Sequence, residues 1–145
     1  MTSEHLLHTI PPIYDGNSKI LILGSFPSVK SREVSFYYGH PQNRFWRVLA
    51  AVLGCAVPSS NEEKTALLQS HNIALWDVIK SCDIVGSSDS SIKNVVPNDI
   101  GVILSSCGIR QIYSNGKTSE KLFNKYIKDT VGRDTVALPS TSPAN

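Results

Sequence analysis

The sequence predicts an α/β domain of three layers, with a central four-stranded, mainly parallel sheet between helices. Three observations predict it. Apolar runs at 20–23, 73–79, 109–114 and 135–138 are short, rich in β-branched residues and bounded by turn residues. The segments between them include stretches whose apolar residues recur at helical spacing. Strands alternating with helices imply parallel pairing through right-handed crossovers. The 145 residues fit one compact domain with a real core, and neither a repeat nor a linker divides them.

Taken in order, Ile10-Pro11-Pro12-Ile13-Tyr14 is extended, because paired prolines exclude helix, and Asp15-Gly16-Asn17-Ser18 is a turn. Ile20-Leu21-Ile22-Leu23 then reads as a strand buried on both faces, the mark of a parallel sheet. At Gly24 the chain breaks into Gly24-Ser25-Phe26-Pro27-Ser28, followed by a polar loop and Tyr37-Tyr38-Gly39-His40-Pro41-Gln42-Asn43. A helix over 44–53 carries Phe45, Trp46, Leu49, Val52 and Leu53 on one face. A second, over 61–69, has Ser60 or Asn61 as cap and Glu62 and Glu63 in its first turn, and it ends at His71-Asn72.

The strand over 73–79 is apolar except for Asp77 near its C-terminal end. Residues 80–96 are rich in Ser, Asp and Gly and form the longest irregular stretch, a length that in compact domains tends to be functional or mobile. Asn98 caps a short helix over 99–106, with Ile100, Ile103 and Leu104 inward. A third strand covers 109–114, and Asn115-Gly116 turns into a helix over 118–128 with Leu122, Phe123, Tyr126 and Ile127 on its apolar face. Thr135-Val136-Ala137-Leu138 is the fourth strand and runs into Pro139-Ser140-Thr141-Ser142-Pro143. Ser142-Pro143-Ala144-Asn145 has the pattern of a helix opening, and the expectation is a domain that lacks its C-terminal helix.

Composition excludes several classes. A net charge of +2 does not announce nucleic acid, but allows it if the basic groups share a face. Cys55, Cys82 and Cys107 are odd in number and lack a CxxC pair, which argues against a disulfide framework, a zinc site or an iron–sulfur cluster. Buried free thiols in a reducing compartment are expected. Residues 1–9 lack the basic and apolar regions of a secretory signal, and the longest apolar run, 48–57, is too short for a bilayer. A soluble intracellular protein, cytoplasmic and with no membrane partner, is expected.

Gly24-Ser25-Phe26-Pro27-Ser28 with His40-Pro41-Gln42-Asn43-Arg44-Phe45-Trp46 resembles the uracil-DNA glycosylase superfamily, and within it the hypoxanthine-DNA (deoxyinosine) glycosylase branch. Leu138-Pro139-Ser140-Thr141-Ser142-Pro143 is similar to the second superfamily motif, so the match spans nearly the whole chain. The resemblance implies a uracil-DNA glycosylase-like fold and a monofunctional DNA glycosylase that excises a deaminated base, hypoxanthine first and uracil or xanthine next, leaving an abasic site. Many relatives carry a catalytic Asn or Asp where this chain has Phe26. The resemblance therefore implies that another residue positions the water, with Asn43 in that role.

The residues can be weighed against that chemistry. Excision needs an extruded base, a positioned water and charge stabilisation on the departing base, with no metal or cofactor. An oxocarbenium-like sugar is electrophilic enough that a neutral amide such as Asn43 can orient the water. Asn43 equally suits the N-cap of the following helix, and one side-chain oxygen cannot easily serve both roles. Phe36, Tyr37 and Tyr38 offer a face for stacking the base, but three adjacent side chains cannot all line one pocket. Phe26 is a candidate pocket wall. Asp77 could accept from the N–H of a hypoxanthine or uracil edge, though it would repel the neighbouring carbonyl and the leaving anion, or it could merely cap a helix or sit at an exposed strand end. His40 could donate to the departing base or a phosphate, or simply flank Pro41.

Gly24, Ser25, Pro27 and Ser28 in the first motif, and Pro139, Ser140, Thr141 and Ser142 in the last, supply small hydroxyls and accessible N–H groups for phosphate contacts. Lys30, Arg32, Arg44 and Lys80 are further backbone candidates, though scattered cations are commonly just solvated. Asn115-Gly116-Lys117-Thr118 is not a phosphate-binding P-loop, because Gln111 stands where that motif needs glycine. The expected partner is single- or double-stranded DNA containing a deaminated base, bound by a monomer. Neither lysine nor a metal set lies in the motifs, so no Schiff-base chemistry is expected. Two rivals stay open: a uracil or mismatch glycosylase of the same superfamily, and a catalytically silent module that binds damaged DNA or a nucleotide.

Overall fold

A computed structural model describes residues 2–143. Among these residues, seven strands form two sheets. Four of them, β2 (Ile20–Gly24), β3 (Ile73–Asp77), β6 (Gln111–Asn115) and β7 (Thr135–Leu138), make a parallel sheet in the order β3-β2-β6-β7. The four expected strands are therefore all present. The parallel registers align Gly24 with Asp77 and Asn115 with Leu138, so these residues share the C-terminal edge. From β2 the chain goes to β3 on one side, and β6 enters on the other. The carboxyl edge of such a topological switch point is where open α/β sheets bind ligands.

Side chains alternate across the sheet into two cores. On one face, Leu21, Leu23, Ala74 and Ile112 pack with Ile103 of α4 (Gly101–Ser106) and Phe123 of α5 (Lys117–Tyr126). On the other, Ile22, Ile73 and Leu75 pack with Phe45, Trp46 and Leu49 of α2 (Phe45–Leu53) and Leu68 of α3 (Asn61–Ser70). The expected three layers follow from this alternation. Ser60 caps α3 in a reciprocal capping box with Glu63. A four-residue helix, α6 (Lys128–Val131), follows α5 where one continuous helix was expected.

Several expectations need correction. Residues 80–96 are not one irregular stretch. β4 (Ile79–Ile84) and β5 (Lys93–Pro97) lie there, and with β1 (Glu4–Leu7) they form an antiparallel sheet in the order β1-β4-β5. Register shifts between Ile79 and Ser81 and between Ser81 and Asp83 break the period-two pattern that marks a strand. The expected strand over 73–79 is accordingly split, with Val78 between β3 and β4.

The loop after Ser28 contains α1 (Val29–Val34), whose valines are exposed and whose only buried residue is Ser31, so no apolar stripe announces it. Asn98 does not cap α4. Its Nδ2 donates to Asp77 O at 2.9 Å and Ile79 O at 3.1 Å, tying down the β3–β4 junction. All three cysteines are free, but only Cys82 is buried, while Cys55 is exposed and Cys107 is half-buried. No helix among the described residues is long and apolar enough to cross a membrane. The expected helix opening at 142–145 falls partly on residues 144 and 145, outside the described residues.

Candidate active site

The carboxyl edge of the parallel sheet opens into a cavity of about 460 Å³, within the usual size range of ligand sites. Its walls come from parts of the chain far apart in sequence: the segment after β2, the loop before α2, Asp77, the β4–β5 connection and the segment after β7. Gly24 starts one wall. A β-carbon there would overlap Asp77 Oδ1 and stand 3.0 Å from Tyr38 Oη, so only glycine lets these groups close over the strand end. Gly116 does the same for the last motif. Its φ of +98° is one that side chains avoid, and a β-carbon would meet Ser140 Cβ at 2.9 Å.

Asn43 stands where the first and last motifs meet. Its Oδ1 accepts the Phe45 N–H at 2.9 Å and the Thr141 hydroxyl at 2.9 Å. Because the Phe45 N–H can only donate, the amide orientation is fixed with oxygen toward the helix. Asn43 is not the N-cap of α2, a position that falls to Arg44; it stands one residue earlier, and its oxygen holds both the helix start and the Pro-Ser loop. Asn115, at the end of β6, completes the network: its Nδ2 donates to Thr141 Oγ1 at 3.0 Å and its Oδ1 accepts the Thr141 N–H at 3.2 Å. The Arg44 guanidinium donates to Ser140 O at 3.1 Å and its backbone N–H to Thr141 O at 3.0 Å. Arg44 therefore serves here as a clamp on the loop.

Asp77 is 3% exposed, and its Oδ2 lies 2.7 Å from His8 Nε2. It is not an exposed strand end. Of the three adjacent aromatics, two line the cavity. Tyr37 is buried, and its hydroxyl donates to Pro11 O at 2.9 Å. Tyr38 takes a left-handed backbone, φ 53°, which breaks the side-chain alternation, and its ring stacks on Phe45 at 4.1 Å. Phe36 lies outside, stacked on Trp46 in the α2 core. Burial pushes both Tyr37 and Tyr38 phenols well above the ordinary range, and the Asp77 carboxylate adds to this. Both remain protonated donors.

Phe26 is 9% exposed and edge-on to the His8 ring at 6.0 Å. His40 lines the cavity, and its Nδ1 accepts the Gln42 N–H at 3.1 Å, so its neutral form carries the proton on Nε2. Ser25, Pro27, Ser28, Ser140, Thr141 and Ser142 also line it, whereas Pro139 borders the adjoining groove by Lys117. Ser28 additionally caps α1 through the Ser31 N–H at 3.1 Å. Arg32 donates to Gly86 O at 3.0 Å, Lys30 pairs with Glu33 on the surface, and Lys80 is exposed. Among the described residues no group of three or more His, Cys, Asp or Glu is placed to hold a metal.

Sequence reasoning missed His8, Ser31, Asn115 and the 87–90 segment containing Asp89. Asn115 could have been found, since it ends a predicted strand on the same edge as Gly24. Asp89 sat in the stretch whose length marked it as functional or mobile. His8 gave no signal, because β1 is short and mostly exposed.

Residues 11–145 match the uracil DNA glycosylase superfamily. The chain belongs to that superfamily. Its similarity extends to two curated proteins, each named hypoxanthine DNA glycosylase, from Methanosarcina barkeri and Methanosarcina acetivorans. Each is 36% identical over 137 residues, covering 93% of this chain and 85% of the relative. The superfamily fold is also seen in a solution NMR structure of a candidate uracil DNA glycosylase from Methanosarcina acetivorans. It superposes with a TM-score of 0.81 at 36% identity, over 94% of this chain and 84% of that one.

Proposed function

We propose that this protein is a monofunctional DNA glycosylase that hydrolyses the N-glycosidic bond of hypoxanthine in DNA and initiates base excision repair. The observation that carries the reading is the meeting of Asn43 with the Pro-Ser loop, 98 residues away in sequence, at the rim of one cavity on the sheet's carboxyl edge. The superfamily membership and the names of the two Methanosarcina relatives supply the reaction class and the base.

In this reading the target nucleotide rotates out of the stack, and its base enters between Phe26 and the Tyr37–Tyr38 wall. The small hydroxyls and N–H groups of Ser25, Ser28, Ser140 and Ser142 receive the flanking phosphates. The glycosidic bond breaks ahead of water attack, leaving electron density on the base and an oxocarbenium-like sugar. Asn43 Oδ1 then orients the water. Both of its acceptor positions are filled in the structure, so the Thr141 hydroxyl, free to rotate, turns aside to admit it. His40 Nε2–H can donate to the departing base. No lysine is among the described residues lining the cavity, consistent with hydrolysis rather than Schiff-base strand cleavage.

The protein would act as a monomer inside the cell, on duplex or single-stranded DNA. Uracil is the second substrate, because it presents the same N–H beside a carbonyl. Single-turnover release from oligonucleotides carrying hypoxanthine, uracil or xanthine tests the reading, in both strand states. Hypoxanthine should leave fastest, with strand breakage only after alkali. Faster uracil release would move the assignment to the sister activity, and release of no base would reject it.

A further inference from the structure

On the cavity floor, an orphaned donor lies beside a fixed acceptor. Tyr38 Oη is buried and its proton has no acceptor among the described residues: the Asn115 side chain beside it acts on it only as a donor, and Asp77 lies near. Asp77 Oδ1 converges with it on the space that Gly24 leaves open. Neither group is free to wander. The Tyr38 ring lies against Phe45 with an interplanar angle of 18°, and its backbone sits in the left-handed region. Asp77 gives its other oxygen to His8, with both side chains almost fully buried, 2% exposed for His8 and 5% for Asp77. A buried hydroxyl proton without an acceptor is costly, and in a ligand cavity the missing acceptor is naturally the ligand's.

We propose that Tyr38 Oη and Asp77 Oδ1, the latter held in place by His8, form a donor–acceptor pair that reads the lactam edge of the extruded base. The inference rests on the glycosylase reading and names the groups that select its substrate. Hypoxanthine N1–H donates to Asp77, and its C6 carbonyl accepts from Tyr38. Adenine reverses the pattern, setting an N1 lone pair against the carboxylate and an amino group against the hydroxyl proton. Deamination is thus the change the pair detects. Cytosine and uracil differ at N3 and position 4 in the same sense. Guanine shares the hypoxanthine edge, so its rejection has to come from the 2-amino group. The hydroxyl also resolves a difficulty in using a carboxylate here, because it faces the carbonyl that the carboxylate would repel. His8 is a positioning residue: it occupies Oδ2 and leaves Oδ1 to the cavity.

Tyr38→Phe keeps the ring on Phe45 and removes only the hydroxyl. The probes are duplexes carrying 2′-fluoro-2′-deoxyinosine, whose glycosidic bond resists hydrolysis, or the same sugar bearing unsubstituted purine, which has no carbonyl. The variant should lose about tenfold in affinity for the inosine probe, the worth of one buried hydrogen bond, and less than twofold for the purine probe. Equal losses on both probes would mean a packing role, and no loss on inosine would mean no contact; either overturns the inference. His8→Gln, which can still donate to Asp77, should keep the preference for inosine that His8→Ala loses. Identical preferences in these two variants would overturn the part given to His8. Wild-type protein that releases hypoxanthine while Tyr38→Phe binds normally rejects this inference alone. Wild-type protein that releases none rejects the underlying reading.

Discussion

Asn43 Oδ1 accepts from Phe45 and Thr141, so the amide assigned to the water also braces the start of α2 against the last motif. Sequence presented these roles as alternatives, because a single residue shows its type but not its partners. Asp89 makes the reverse point. The residue is exposed, yet its Oδ1 accepts from Ser25 Oγ at 3.4 Å at the mouth of the cavity, where the surrounding loops partly shield the carboxyl from water. Burial raises its pKa above the ordinary carboxylate range, bonds from Ser25 and Thr118 oppose this, and Asp77 adds to it. Above that raised value Asp89 is charged and repels phosphate. Asp89→Asn should therefore tighten DNA binding at neutral pH by about two- to fivefold in low salt. As pH falls and the wild-type carboxyl takes up its proton, the two proteins should converge. Fluorescence anisotropy against pH checks this, and a variant that binds more weakly at neutral pH would give Asp89 an attractive role instead.

At the scale of elements, the strands of the parallel sheet were legible because burial on both faces leaves uninterrupted apolar runs, as in Ile20–Gly24. α2 and α3 were legible for equally local reasons, an apolar stripe in one and a capping box in the other. The second sheet was not. β4 combines Ser81 and Asp83 with two register shifts, and β1 is four residues long and largely exposed. Their pairing is decided by contacts across the chain, which local sequence does not record. Arg44 is another such case, since one cation reads as solvated until the Pro-Ser loop is placed beside it. Replacing the clamp by Arg44→Met should keep α2 and its packing but loosen residues 140–142. About tenfold slower excision is expected from losing the charge-assisted hydrogen bonds to Ser140 O at 3.1 Å and, more weakly, Ser142 O at 3.5 Å. Single-turnover rates check it, with circular dichroism confirming the fold. An unchanged rate would show that Asn43 and Asn115 hold the loop without it.

At the scale of the whole molecule, three weak acids among the described residues, Tyr37, Tyr38 and Cys82, are held in their neutral forms by burial. Tyr37 and Tyr38 are shifted upward chiefly by burial, and burial pushes the Cys82 thiol up to about 11. For each, the folded pKa exceeds the unfolded one. The stability they confer is therefore complete below the unfolded values, near 8.5 for Cys and 10 for Tyr, and is lost as pH rises toward the folded values. The melting temperature should fall on the alkaline side, beginning at about pH 9 and steepening above about pH 10. Thermal scans from neutral to alkaline pH check it, and a flat profile would show that these groups are hydrated. The three-layer architecture was readable at this scale from strand–helix alternation alone. The cavity was readable only in outline: its two motifs were visible, but His8, Asp89 and Asn115 join them through the fold.

The central claim is that Asn43 and the strand edge beside it enclose a hydrolytic water next to an extruded base. The most direct measurement is single-turnover hypoxanthine release by wild-type protein and Asn43→Ala, with binding to the same duplex measured in parallel. Binding should stay within a few fold, while release falls by a hundredfold or more, a transition-state loss of about 3 kcal/mol. Release at the wild-type rate by Asn43→Ala would contradict the account, whatever the variant does to the stability of α2.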